Sequence, residues 1–465
     1  MKRLALLLFV FCLACEVTAA PLPKAVRSSL KEAGIPVSAV GIVVQQTGSR
    51  TPLIRVNAKQ AMNPASAMKL LTTYAGLELL GPAYSWKTEA YLDGELKDGV
   101  LRGNLVLRGY GDPKLTVEQF WLWLRELRAR GLREIRGDLV LDRSFFELPL
   151  HDPAAFDNDP VRAYNVGPDA LLLNFNTLRL RYLPNGNGMK IITEPALDGI
   201  TLDNRLAPQA APGCDNWDDT ILVQPEGDSV VLQGGYPGEC GEREHNLSVV
   251  PHTRYVESVF RALWQELGGT LQGTVREESV TTDAQLFSTH YSPPLAEVIR
   301  DINKFSNNVM ARQLFLTLGT AAGDGPATLE RSARAVQDWL ASKQMDFPEL
   351  VLENGAGLSR TERISAQHLS LLLQSAAQGP LGAEFAASLP ILGVDGSVKK
   401  RLRESPSAGR AHLKTGTLEG VKTLAGYVRS QRGKEWIVVF LINHPNAKFG
   451  KNAQDALIEW VQQHY

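Results

Sequence analysis

The sequence predicts an α+β protein: an antiparallel sheet packed by helices, built from both chain ends, with two strand-rich insertion domains nested between them. Three observations carry this reading. β-rich runs bounded by turn residues lie near both termini, and the first of them is followed by a helix apolar nearly all round. The long stretch between repeats the order helix, glycine, strand.

The chain of 465 residues is 44% hydrophobic and 21% charged, ordinary for a folded protein in water. A net charge of −1 gives no basic excess to suggest nucleic acid or an anionic membrane as partner. Residues 1–20 differ: Lys2-Arg3, the apolar run Leu4 to Ala14, then Val17-Thr18-Ala19-Ala20 before Pro21 have the three parts of a secretory signal peptide. The protein is therefore expected to be exported, to the periplasm. No later run is long enough to suggest a transmembrane segment after signal removal. Cys12 and Cys15 leave with the signal, so Cys214 and Cys240 are expected to form one disulfide in an oxidising compartment, two free thiols being the alternative.

Ala25 to Ala33 reads as a helix ended by Gly34 and Pro36, and Val40–Val44 and Pro52–Val56 read as strands turning at Gly48. A hairpin alone is marginal, so these strands need partners. Three runs supply them at the far end: Ala411–Thr417, Thr423–Arg429 and Trp436–Ile442, with Ala453–Gln463 closing the chain as an amphipathic helix. Between these ends, Gly103–Leu107 and Gly137–Leu141 echo one another around a helix at Val117–Arg130. A second helix, Val256–Leu267, leads into the run Gly268–Val275. The resulting division is a catalytic domain from 21–92 and 286–465, an insertion from 93–170 and 268–285, and a second insertion at 171–267 holding both cysteines.

The chemistry centres on Asn63-Pro64-Ala65-Ser66-Ala67-Met68-Lys69. Asn63 suits an N-cap and Pro64 a first helical position, so Ser66 should open the helix that continues to Gly81. Residues three apart share a helix face, which brings the Lys69 amine to the Ser66 hydroxyl. On a helix so apolar the ammonium form of Lys69 is disfavoured, making it a base for that hydroxyl. Ser-x-x-Lys also occurs at Ser28/Lys31 and Ser397/Lys400, but on a polar-faced helix and after an Asp395-Gly396 turn, where exposed structural roles suffice.

Downstream lie Ser306-Asn307-Asn308 and Lys414-Thr415-Gly416-Thr417. Together the segments hold what acyl transfer through a serine ester needs. Ser66 is the expected nucleophile and Lys69 its base. Ser306 would relay a proton to the leaving nitrogen, Asn308 would orient Lys69, and Asn307 would point away. Lys414 adds a second positive charge that attracts a substrate carboxylate, and Thr415 adds a hydroxyl for it. Gly416 would let a substrate backbone approach the strand edge, and the N–H groups of Ser66 and Thr417 form the expected oxyanion pair. His412, two residues before Lys414, reads as an ordinary strand residue, since no Gly-x-Ser-x-Gly elbow is present.

These motifs, in this order, resemble the penicillin-binding/β-lactamase-like enzymes, and in particular the class C low-molecular-mass penicillin-binding proteins of the peptidase S13 family. The resemblance extends over nearly the whole mature chain through Gly109–Pro113, Gly137–Asp142, Leu173–Thr177, Asn354–Arg360 and Gly393–Ser397. It implies a D-alanyl-D-alanine carboxypeptidase or endopeptidase acting on peptidoglycan stem peptides, acylated by β-lactam antibiotics and requiring no cofactor. It also points to Asp157 or Asp159 as an acidic contact for a stem-peptide amine. Two rivals share part of the evidence, a serine β-lactamase and a wall-binding protein with a fossil site.

Overall fold

The computed structural model describes residues 20–185, 188–210, 213–321 and 323–465; residues 1–19 of the expected signal peptide lie outside the described residues. A five-stranded antiparallel sheet joins the chain ends, with Ala411–Leu418 at one edge, then Val421–Arg429, Glu435–Asn443, Val40–Gln46 and Ile54–Val56. Because side chains alternate across a strand, the sheet divides two cores. Val438, Phe440 and Ile442 face the terminal helices Lys24–Glu32 and Lys451–His464. Ile437, Val439 and Leu441 face the other layer, centred on the helix Lys69–Leu80. That helix is buried from Lys69 to Leu77, as its all-round apolarity predicts. Around it pack helices lying between Leu295 and Ser388, none of which was expected from the sequence.

The insertion is organised differently from the expected division. A seven-stranded sheet includes Lys87–Lys97, Val100–Gly109 and Gln285–Tyr291. The expected boundaries at 92/93 and 285/286 thus fall inside or at the start of strands that hydrogen-bond into this sheet, not into the catalytic one. The second helix begins at His252, a turn earlier than expected, because Pro251 ends the preceding extended segment. It packs with Val117–Ala129 on the same core, through Phe120, Leu124, Phe260 and Trp264, so it does not belong with the nested piece at 171–267. The echoed strands, Val100–Gly109 and Leu139–Asp142, lie side by side and parallel. The expected strand at 270–275 is two short ones, Thr270–Leu271 and Val275–Glu277.

Two three-stranded sheets, within residues 178–247, form the inner piece around Leu180, Tyr182, Leu232 and Tyr236. Cys214 and Cys240 are disulfide-bonded there, with Cα atoms 5.4 Å apart. Among the described residues no helix is long and apolar enough to cross a membrane.

Candidate active site

Ser66 lies in a 3-10 turn, Ala65–Met68, that feeds directly into the helix Lys69–Leu80. The N-cap position is Pro64, one residue later than expected; Asn63 Oδ1 accepts from Ala65 N–H at 2.8 Å just ahead of the turn, and the turn is wound more tightly than the regular helix expected there. Ala65 is held at φ +46°, a costly conformation for a residue with a Cβ. Neighbours pin the two residues that lead into it. Asn63 and Asn443 exchange hydrogen bonds of 2.8 and 3.0 Å, and Thr423 Oγ1 donates to Pro64 O at 2.7 Å.

Lys69 is fully buried, and its Nζ stands 3.0 Å from Ser66 Oγ and 2.6 Å from Asn308 Oδ1, with the Ala356 carbonyl as a third partner. Burial, then the Lys414 charge, hold the amine well below the ordinary lysine value, and Glu362 acts in the opposite sense. Ser306 caps the helix Leu295–Phe305 in the left-handed region, φ +56°, which turns its hydroxyl towards the strand carrying Lys414. Lys414 Nζ donates to Ser306 Oγ at 2.8 Å and to Thr415 O at 2.8 Å. It too is fully buried, and burial lowers its pKa to about 7. Asn307 turns away and caps the next helix, accepting from Met310 N–H at 3.0 Å.

The strand Ala411–Leu418 is the edge of its sheet. Leu413 N–H and Ala411 O bond outward, to Pro390 and Leu392, so the period-two geometry turns the Thr415 and Thr417 N–H groups out over the same edge. Gly416 has a reason beyond the one expected. A Cβ there would lie 2.3 Å from Thr423 Oγ1, 2.8 Å from Pro64 O and 2.9 Å from Ala65 Cβ. Glycine lets the strand press against the turn that carries Ser66.

Ser397, read from sequence as structural only, meets Thr415 Oγ1 at 2.8 Å and borders the site. Ser28 and Lys31 are exposed on the terminal helix, away from it. His412 donates from Nδ1 to Ala386 O at 3.0 Å and takes no part. Asp157 accepts from Tyr164 Oη and Asn165 Nδ2, both at 2.7 Å, and Asp159 accepts from Arg162 Nε at 2.6 Å. Their segment reaches the catalytic layer where the Arg360 guanidinium lies over the Phe156 ring, 4.5 Å from its centroid. Sequence reasoning gave no role to Asn63 beyond capping, or to Ala356, Glu362, Thr423 or Asn443. Of the last four, only Ala356 lies within one of the family-like stretches.

A cavity of about 440 Å³ opens beside Ser306 and Asn308, walled on the insertion side by Tyr164, Phe175, Arg179 and Glu194. Phe175 reaches it from Asn174–Asn176, three successive residues at positive φ. Asn174 Nδ2 donates to Tyr255 Oη and Asn176 Nδ2 to Val250 O, both at 3.0 Å, which fixes the turn.

The family model of the D-Ala-D-Ala carboxypeptidase 3 (S13) family matches residues 22–464. The chain belongs to that family. It is 29% identical over 417 residues to a D-alanyl-D-alanine carboxypeptidase of an Actinomadura species, covering 85% of this chain and 76% of the relative. It is 27% identical over 413 residues to the D-alanyl-D-alanine carboxypeptidase DacB of Haemophilus influenzae, covering 87% and 85%. The crystal structure of penicillin binding protein 4 from Haemophilus influenzae superposes with a TM-score of 0.79 at 25% identity, over 93% of this chain and 99% of that one. This S13 enzyme therefore has the penicillin-binding fold with insertions, and it is a serine-type D-Ala-D-Ala peptidase.

Proposed function

We propose that Ser66 is the nucleophile with which this S13 peptidase cleaves the terminal D-Ala-D-Ala bond, or the D-Ala-diamino acid cross-link, of peptidoglycan stem peptides. The observation that carries this reading is the Lys69 amine, buried and 3.0 Å from Ser66 Oγ, with Lys414 and Ser306 closing the same cleft. Neutral Lys69 takes the Ser66 proton as Oγ attacks the penultimate carbonyl. The N–H groups of Ser66 and Thr417, one from a helix-opening turn and one from a sheet edge, hold the oxyanion. Ser306, bonded to Lys414, hands its proton to the departing nitrogen and is reprotonated at the expense of Lys69, which returns to the neutral amine and then takes a proton from the water that hydrolyses the acyl ester. Protonated Lys414, Thr415 and Ser397 bind the substrate carboxylate; the hydrogen bond between Ser397 Oγ and Thr415 Oγ1 supports this reading.

β-Lactams carry the same carboxylate and a reactive amide, so they acylate Ser66 in place of the stem peptide. A structure of the Haemophilus influenzae penicillin binding protein 4 was solved with a β-lactam. Asp157 or Asp159 takes a stem-peptide amine in this reading; the contact of the neighbouring Phe156 with Arg360 supports it. Cys214–Cys240 and the sequence of residues 1–20 support export to the periplasm.

Ser66→Ala should abolish D-alanine release from a pentapeptide while circular dichroism and the melting temperature stay those of the parent. An unchanged rate of release would remove Ser66 from the mechanism. The parent labelled with a fluorescent penicillin should stay labelled for minutes; label lost within seconds would make a β-lactamase the better description.

A further inference from the structure

Beneath the Ser66–Lys69 turn lies a fully buried carboxylate that the acyl-transfer chemistry does not use. Glu362 Oε1 accepts three successive backbone N–H groups, from Glu353 at 3.1 Å, Asn354 at 3.0 Å and Gly355 at 2.9 Å. Three N–H groups converging on one oxygen make a nest for negative charge, and they fix the path of the chain that follows. Gly355 O then accepts from Thr72 Oγ1 at 2.6 Å, and Ala356 O accepts from Lys69 Nζ. Gly357, at φ +78°, passes so close to the nucleophile turn that a Cβ would lie 1.9 Å from Ala65 O and 2.8 Å from Ser66 N. The segment is thus a buttress pressed against Ser66 and bonded to its base; Glu362 shapes its start, and Asn354 its middle by accepting from Ala356 N–H and donating to Leu358 O, both at 2.9 Å.

Its charge has a second consequence. Glu362 Oε2 is buried without a hydrogen bond among the described residues, so the carboxylate is not neutralised by a direct partner on that side. Burial pushes the Glu362 carboxyl up and its three N–H donors act in the opposite sense, favouring the anion; the charged groups around it are Lys69 on the nucleophile helix, Arg312 on the helix Asn308–Thr320, and Glu353 on its own loop. Lys69 in turn faces Arg312 and Lys414, the latter cationic below about pH 7, so Glu362 is the anion among its interacting charges. In so dry a place a unit charge acts over several ångströms with little screening.

We infer that Glu362 is a positioning residue for catalysis: it sets the Ala356 carbonyl against Lys69 and balances the cations around that amine. This rests on the reading of Lys69 as the general base.

The test is the rate of acylation by a fluorescent penicillin, followed across about pH 5 to 9, where a general base titrates. Glu362→Gln keeps an oxygen for the three N–H groups and removes the charge. Its acid limb should move to lower pH by about half a unit or more, because losing a nearby anion makes the ammonium form of Lys69 less favourable. Glu362→Ala also releases the loop and should acylate at least about tenfold more slowly, since small misplacements of reacting groups are costly. Glu362→Gln should recover most of that rate. A Glu362→Gln limb that coincides with the parent's overturns the inference, and it decides the matter alone if Glu362→Ala fails to fold. Lys69→Ala separates the two readings: persistent acylation would dismiss the base itself, whereas its loss alongside an unmoved Glu362→Gln limb dismisses only the role of Glu362.

Discussion

Ser306 Oγ accepts a 2.8 Å hydrogen bond from Lys414 Nζ, across 108 positions of sequence. The pair joins a helix terminus to a sheet edge, and in the proposed mechanism the proton path to the leaving group runs through it. Ser306→Ala removes the relay and leaves the Lys414 amine short of one acceptor. Acylation by a fluorescent penicillin should slow by about a hundredfold or more, the usual scale for a positioned acid–base group. A rate within about threefold of the parent would exclude Ser306 from proton transfer.

Lys414 makes a prediction about stability as well as rate. Burial lowers its pKa to about 7 from the ordinary 10.5, so between these values the folded chain binds fewer protons than the unfolded one. Stability from this group therefore rises with pH across that window, and below about 7 both states are protonated and the slope vanishes. Lys69, also depressed, contributes a slope of the same sign that remains when Lys414 is replaced. Urea midpoints of the parent and of Lys414→Met, measured at several pH values, should show a stability difference that changes across the window in favour of the parent as pH rises. Parallel curves would mean that Lys414 titrates as an ordinary lysine.

Gly416→Ala tests whether the sheet edge must touch the nucleophile turn. The added methyl meets Thr423 Oγ1 at 2.3 Å, Pro64 O at 2.8 Å and Ala65 Cβ at 2.9 Å. Overpacking of this kind costs about 1–3 kcal/mol, and a displacement of about 1 Å between reacting groups costs on the order of a hundredfold in rate. The expected result is a lower denaturation midpoint together with markedly slower acylation. Parent-like acylation would show that the strand can shift without moving Ser66 relative to Thr417.

The disulfide lies in the inner insertion, remote from the acyl-transfer residues in sequence and in packing cluster. Closing 26 residues stabilises by about 3 kcal/mol in the chain-entropy account. Replacing Cys214 and Cys240 together by serine should lower the urea midpoint while leaving the acylation rate of a small β-lactam unchanged. A matching loss of acylation would tie the inner piece to the active site more tightly than its packing indicates.

The outer strands and terminal helices were legible because each carries its own periodicity. Val40–Gln46 and Glu435–Asn443 are apolar runs edged by turns, and Lys451–His464 is amphipathic. The domain boundaries were not. Lys87–Lys97 and Gln285–Tyr291 have the pattern of strands, but no local feature says which of two sheets they join. That depends on pairing between segments nearly two hundred positions apart.

The site divides in the same way. Ser66, Lys69, Ser306, Asn308 and Lys414 were readable from sequence because each sits in a short motif whose spacing already implies a chemical relation. Asn63 with Asn443, Thr423 against Pro64, Ser397 beside Thr415, and Glu362 beneath Lys69 were decided only by tertiary structure. Their side chains are ordinary polar groups until distant backbone segments come together, and it is burial, which no short stretch of sequence records, that turns an amine into a base and a carboxylate into its support.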